Sequence, residues 1–348
     1  MPLSHMPHSL TSISILVLVF IGTFLSTFYY RRFALHHGIL AKNTFRSLHN
    51  RTVSRGGGIV FACAFTATIL IFWASGRFTT WQMLSFGVGG GSAAVIGLID
   101  DVKEIRATRK LLAQSCLAVW VFSVFYKPLY EHHLNNYGDA LHVLLALALL
   151  LIPIWFINLY NFIDGIDGMA ISGAVYICIA AIIVLAMAGG NSDLIFIFSI
   201  LVASGLGFLF FNLPPASVFM GDAGSIFLGY CLSASLLATI LSGQISIWTW
   251  IVILGYFIGD TTITGIYRVL FVKKWYGVHR SHAYQNLARI YNNHAKVTYG
   301  VVLYNLLWSL PLAIWSARVP KMAPVAAILS LGPAVLWTLK FGPRLSSE

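Results

Sequence analysis

The chain is short of charge, and shorter still of acid. Only 9% of its 348 residues are Asp, Glu, Lys or Arg, and only 11 are acidic. A soluble domain carries roughly 25% charged residues, so the water-soluble globular class is excluded. Cysteine is scarce as well. Cys63, Cys116, Cys178 and Cys231 sit singly inside apolar runs, with neither the spacing of a metal site nor that of a disulfide framework. They read as small hydrophobes. The first apolar run, Thr11 to Tyr30, is followed by Arg31-Arg32 and no small-residue cleavage site. It reads as a membrane span and not as a leader.

What the chain has instead is apolar length: 58% hydrophobic residues and a mean hydropathy of +0.81. Reading for stretches of about 20 apolar residues predicts eleven spans, near 11–30, 58–75, 81–99, 111–127, 140–157, 169–188, 194–211, 224–241, 246–265, 299–316 and 322–340. The expected fold is an all-α polytopic bundle of 10–11 helices, with residues 1–348 as one integral-membrane domain. Of the 22 basic residues, 18 fall in the loops after odd-numbered spans and in the tail. The other face holds Arg77, Lys127, Arg318 and Lys321. Basic loops stay in the cytoplasm, which puts the N-terminus in the periplasm and the C-terminus inside. The net charge of +11 thus reflects a membrane surface. Nucleic acid is excluded as a partner, and anionic lipid head groups or a phosphate-rich substrate fit.

The few acids are not scattered. Asp100, Asp101, Asp164, Asp167 and Asp222 fall in three loops on the predicted cytoplasmic face, among lysines and arginines. Acids contribute little to orientation, so the pattern points to a site. Paired carboxylates beside cations suit a hard divalent ion shared with phosphates, and Mg²⁺ is typically held by one or two carboxylates and substrate oxygens. The stretch N158-L-Y-N-F-I-D-G-I-D-G-M-A170 places Asn158, Asn161, Asp164 and Asp167 at three-residue spacing. In a 3₁₀ or broken turn these would line one edge and hydrogen-bond a base or sugar. In F211-N-L-P-P-A-S-V-F-M-G-D-A-G-S225, the prolines stop one helix. Asp222 then opens the next, where backbone N–H groups can hold phosphate. H279-R-S-H-A-Y-Q285 adds His279 and His282 in a basic loop, suited to phosphate contact or proton transfer.

Together with R46-S-L-H-N-R-T-V-S-R-G-G-G58 and G97-L-I-D-D-V102, these motifs resemble, in order and over nearly the whole chain, the polyprenyl-phosphate N-acetylhexosamine-1-phosphate transferase family. The resemblance implies that a lipid phosphate attacks the β-phosphorus of a UDP-N-acetylhexosamine, giving a lipid-diphosphate-sugar and UMP. It implies Mg²⁺ (or Mn²⁺) on Asp222 with Asp100 and Asp101, the latter pair also facing the lipid phosphate. Asn158, Asn161, Phe162, Asp164 and Asp167 match the nucleotide segment, with Asn212 and Lys110 as further substrate contacts. Arg46, His49 and Arg55 match the lipid-phosphate segment, and His279 and His282 the catalytic His loop. The site is expected in a cytoplasmic-face cleft formed by loops 31–57, 100–110, 158–168, 212–223 and 266–298. Undecaprenyl phosphate, the bacterial inner membrane and a homodimer also follow from the resemblance.

Two departures stand out. The family's His motif often reads H-x-H-H, and its first segment often carries Pro before the glycines; here the residues are His279-Arg280-Ser281-His282 and Thr52-Val53-Ser54. The His loop looks like that of the O-antigen-initiating branch, with the peptidoglycan phospho-MurNAc-pentapeptide branch as the alternative. From another class, a transporter of lipid-linked or nucleotide sugars calls for ionisable residues near the bilayer midplane. Only Asp260 is placed for that.

Overall fold

The computed structural model describes residues 9–40, 53–103, 105–129, 139–272 and 281–343. Its helices, in chain order, are α1 (Ser9–His36), α2 (Gly58–Ala74), α3 (Thr80–Lys103), α4 (Ala107–Leu129), α5 (Asp139–Ile163), α6 (Met169–Met187) and α7 (Ser192–Asn212). After these come α8 (Gly221–Leu241), α9 (Ile247–Ile253), α10 (Gly255–Phe271), α11 (Ala283–Ile290), α12 (His294–Arg318) and α13 (Ala323–Phe341). The described residues form no strand, only isolated bridges from Ser54 to Leu40 and to Val218.

Eight of the described helices are long and apolar enough to cross a membrane, and the α9–α10 pair makes nine if it counts as one crossing. The chain is a multi-pass membrane protein. The expected count of eleven is not carried in full. The second expected span, α2, has 17 residues, or about 26 Å at 1.5 Å per residue against a hydrocarbon core of about 30 Å. The fourth lies in α4, which opens with Arg109 and Lys110. The ninth is not straight: α9 and α10 meet at 85° across Leu254.

The loop boundaries shift too. Asn158 and Asn161 belong to the last turns of α5, and Asp100 and Asp101 to the last turn of α3. The region expected as a loop over 266–298 holds the end of α10, all of α11 and the start of α12. A helix continues wherever its backbone can bond to itself, and short polar side chains near its end do not stop it.

α8 is the most enclosed of the long helices and α1 the least. Its hydroxyls bond within the helix, Ser233 to the Tyr230 carbonyl at 2.7 Å and Ser235 to that of Cys231 at 2.8 Å, as an apolar surround requires. Three helices meet α8 where glycine leaves no side chain in the way. A Cβ on Gly58 of α2 would lie 2.5 Å from the Gly224 Cα, and one on Gly97 of α3 2.2 Å from the Asp222 carbonyl oxygen. A Cβ on Gly229 would lie 2.6 Å from the Cα of Ile157 in α5. Asp100 and Asp101 follow Gly97 by one turn, and Asn158 and Asn161 follow Ile157. These backbone contacts therefore bring the polar ends of α3 and α5 to the first turn of α8.

Candidate active site

The first turn of a helix has N–H groups with no partner inside the helix. On α8 they are met from another helix. Asp101 accepts the Asp222 N–H at 3.0 Å through Oδ1 and the Ala223 N–H at 3.0 Å through Oδ2. A carboxylate there is also favoured by the helix dipole. Arg55 Nε stands 3.2 Å from Asp101 Oδ1. The chain around Arg55 is fixed in turn: Phe219 N–H bonds to the Ser54 carbonyl at 2.8 Å, and Gly57 N–H to that of Phe219 at 2.9 Å. Gly221 turns at φ 74° directly over the carboxylate, where a Cβ would lie 2.6 Å from Asp101 Oδ2.

Beside this clamp lies a polar chain. Asp100 accepts the Ile105 N–H at 2.8 Å and the Lys110 ammonium at 2.7 Å. Lys110 Nζ is also 3.1 Å from Asp222 Oδ1 and 3.4 Å from Asn161 Oδ1. Asn161 Nδ2 donates to Asp222 Oδ1 and, at 3.1 Å, to Ser225 Oγ. Burial works against the Lys110 charge, but the Asp222 and Asp100 carboxylates outweigh it and hold the ammonium above its ordinary range. The Asp164 carboxyl goes the other way. Burial first, then the charges of Asp222, Asp101 and Asp167, push its pKa up to about 8, although the Gly221 N–H opposes this.

The structure does not gather Asp100, Asp101 and Asp222 into one ligand set. Among the described residues no three His, Cys, Asp or Glu side chains are arranged to hold a metal ion. Asp101 is taken up by backbone amides, and the Lys110 ammonium lies between Asp100 and Asp222. What fits a cation is narrower. The side chain of Asp222 is 20% exposed, and burial first, then the carboxylates around it, disfavour ionisation of Asp164. One or two carboxylates are what Mg²⁺ needs when phosphates and water complete its shell.

The expected nucleotide residues divide. Asn158 Nδ2 bonds to the Ile154 carbonyl of its own helix at 2.8 Å. Asp167 accepts the Ala216 N–H at 2.9 Å, and His294 Nδ1 is 3.2 Å from its other oxygen. Asn212 accepts the Gly168 N–H at 3.1 Å and donates to the Val218 carbonyl at 2.9 Å. Asp167 and Asn212 are both buried, so they lock the loops after α5 and α7 to one another. Phe162 does point outward, 42% exposed. Its ring centroid is 5.7 Å from that of His282, which in turn lies 5.7 Å from the Tyr284 ring. The Tyr284 hydroxyl donates to the Phe162 carbonyl. Arg46, His49 and His279 lie outside the described residues.

Asp260 belongs here as well, in a different role from the transport one. It is buried, accepts the Ala283 N–H at 2.9 Å and the Tyr284 N–H at 3.2 Å, and lies 3.6 Å from His282 Nδ1. It closes the N-terminus of α11 as Asp101 closes that of α8. Sequence reasoning missed Asp260, Tyr284 and His294 as parts of the site. Asp260 sits inside an apolar run, Tyr284 stands in the His motif without chemistry of its own to single it out, and no motif marks His294.

Residues 83–240, which include Asp100, Lys110, Asn161 and Asp222, match the model of the family described as glycosyl transferase family 4. A Bacillus subtilis (strain 168) protein named as a probable undecaprenyl-phosphate N-acetylglucosaminyl 1-phosphate transferase is 32% identical, over 85% of this chain and 81% of its own. The decaprenyl-phosphate N-acetylglucosaminephosphotransferase of Mycolicibacterium smegmatis (strain ATCC 700084 / mc(2)155) is 31% identical over 64% of this chain and 58% of its own. A phospho-N-acetylmuramoyl-pentapeptide-transferase from Geobacillus sp. (strain WCH70) is 28% identical over 61% and 71%. With the Asp222, Lys110 and Asn161 cluster inside the matched region, the chain belongs to glycosyl transferase family 4, the polyprenyl-phosphate N-acetylhexosamine-1-phosphate transferases.

Proposed function

We propose that this enzyme transfers N-acetylhexosamine 1-phosphate from a UDP-sugar to undecaprenyl phosphate at the cytoplasmic face of a bacterial inner membrane. The product, undecaprenyl-diphosphate-sugar, starts O-antigen, lipopolysaccharide or a related envelope polysaccharide. UDP-GlcNAc or a 6-deoxy relative such as UDP-FucNAc or UDP-QuiNAc is the donor. The observation that carries this reading is the Asp222 cluster, where a helix N-terminus, a lysine and an amide converge beside the exposed Phe162 ring.

The acceptor phosphate oxygen bonds to the β-phosphorus as the bond from that phosphorus to the bridging oxygen breaks, and UMP leaves with the electron pair. The acceptor needs little help from a base, since a phosphate monoester with second pKa near 6 is already mostly dianionic at neutral pH. Positioning and charge neutralisation therefore dominate. Lys110, held charged between Asp100 and Asp222, neutralises developing negative charge. Asn161 orients Asp222. Phe162, backed by His282, offers a face on which the uracil ring stacks. Asp222, with Asp164 beside it, would hold Mg²⁺, which when bound neutralises charge on the diphosphate.

The test is UMP release from purified protein given undecaprenyl phosphate and a panel of UDP-sugars. Asp222→Asn keeps side-chain size and should lower kcat by at least about 10²-fold, roughly 2.7 kcal/mol of barrier. EDTA should silence the wild type, and Mg²⁺ or Mn²⁺ should restore it. Normal turnover by a folded Asp222→Asn protein, or indifference to chelation, sinks the reading. Turnover of UDP-MurNAc-pentapeptide alone would move the enzyme to the peptidoglycan branch, the activity in the Geobacillus relative's name.

A further inference from the structure

The turn D164-G-I-D-G168 carries two glycines that the proposed reaction does not use. Each lies against the α11–α12 pair. A Cβ on Gly165 would sit 2.2 Å from the Tyr284 hydroxyl oxygen of α11, and one on Gly168 3.4 Å from the Thr298 Cγ2 of α12. Gly168 also turns at φ 72°, which favours glycine. Only Tyr291, Asn292 and Asn293 separate the two helices. The Asn293 N–H bonds back to the Ala288 carbonyl at 3.1 Å, and its side chain accepts the Lys296 N–H at 3.1 Å. α11 and α12 are thus joined by a corner that is bonded to both.

Thr298 makes the contact that gives this corner a role. Thr27, Thr68, Ser199 and Thr338 return their hydroxyls to the carbonyl four residues back in their own helices, at 2.7, 2.7, 2.8 and 2.9 Å. An apolar surround favours that arrangement. Thr298 is fully buried and departs from it: its hydroxyl crosses to the Asp167 carbonyl at 2.7 Å. His294, one turn earlier on the same helix face, places Nδ1 3.2 Å from Asp167 Oδ1. At the other end of the turn, the Tyr284 hydroxyl donates to the Phe162 carbonyl. The corner therefore holds the stretch 162–167 at both ends, with Asp164 between the holds.

We propose that the α11–α12 corner sets the shape of this turn, and that Thr298 and His294 are positioning residues for the uridine nucleotide. They act through Asp167 on Phe162 and Asp164. The inference rests on the reading of Phe162 as the face on which uracil stacks. A turn freed at one end leaves that ring more positions, and binding then has to order it.

The test reads equilibrium binding of UMP to purified full-length protein with Mg²⁺ present, and Tm beside it. Thr298→Val keeps the shape of the side chain and removes the hydroxyl. UMP affinity should fall about fivefold, as for one net hydrogen bond, and Thr298→Ser should restore it to within about twofold. His294→Ala should weaken UMP by a similar factor, and it carries the same test should Thr298→Val not fold. Tyr299→Ala, whose side chain is 46% exposed beside Thr298 on α12, should bind UMP as the wild type does. Affinity for undecaprenyl phosphate should be the same in all four variants. Unchanged UMP affinity in folded Thr298→Val or His294→Ala, whatever the Tm, would leave these residues purely structural and overturn the inference alone. So would an equal loss in Tyr299→Ala. A wild type that binds no uridine nucleotide would overturn the proposed reaction together with it.

Discussion

Asp101 and Asp260 do the same work in two places. Each is a buried carboxylate that reaches from one helix to two successive N–H groups at the start of another. Their surroundings differ. Asp101 has Arg55 at 3.2 Å, a partner whose side chain is 34% exposed, and the helix it holds carries Asp222 in its first turn. Asp260 is 2% exposed, has His282 as its only ion-pair partner among the described residues, and holds a helix that carries Tyr284 in its first turn. On the proposed reaction, the comparison separates the site into a phosphate end at Asp222 and an aromatic end at Phe162, each fixed by its own clamp.

If that division is right, the two clamps should fail differently. Asp101→Ala is expected to have the largest effect. It releases the turn that positions Asp222, and kcat should fall about 10²-fold with a smaller change in KM. A loss confined to KM would merge the two ends. Asp260→Ala should instead raise KM for the nucleotide sugar about tenfold, by loosening the backing of Phe162, with kcat moved less. It should also lower Tm more than Asp101→Ala, because an orphaned buried N–H costs about 1–3 kcal/mol and water reaches the α8 clamp more easily through the exposed side of Arg55.

Smaller effects sharpen the map. Asn161→Ala removes the amide that touches Asp222 and should raise KM for the UDP-sugar roughly 5- to 150-fold, for about 1–3 kcal/mol, leaving that for lipid phosphate nearly unchanged. Asn158→Ala, at the preceding position in the same motif, should change either KM by less than about threefold, since its amide is bonded to its own helix. Equal penalties for the two asparagines would mean that Asn158 leaves the Ile154 carbonyl to meet substrate.

The bundle was largely legible because a membrane span writes itself as an apolar run, and the cluster was legible because acids are so rare here that five on one face stand out. Asp222, Asp100, Lys110 and Asn161 lie together, with the Lys110 ammonium between the two carboxylates. Asp167 and Asn212 read the same way in sequence, yet they bond to Ala216, Gly168 and Val218. Residue type announces a donor or an acceptor and is silent on whether its partner is substrate or backbone. The bend at Leu254 was invisible for a related reason. Leu-Gly inside an apolar run spells a straight helix as readily as a broken one. Asp260 was hidden because its partners, Ala283 and Tyr284, lie more than twenty residues away and offer backbone.

Much of the cluster's geometry is written by atoms that are not there. Gly97 and Gly58 carry no chemistry, and a search for reactive side chains would pass over both. Yet a methyl group on Gly97 would start 2.2 Å from the Asp222 carbonyl oxygen, well inside contact distance, so the first turn of α8 would have to retreat. A displacement of about 1 Å at a reacting group can cost on the order of 10²-fold in rate. The smallest substitution available, Gly97→Ala, is therefore a way to perturb the Asp222 cluster without altering any residue in it.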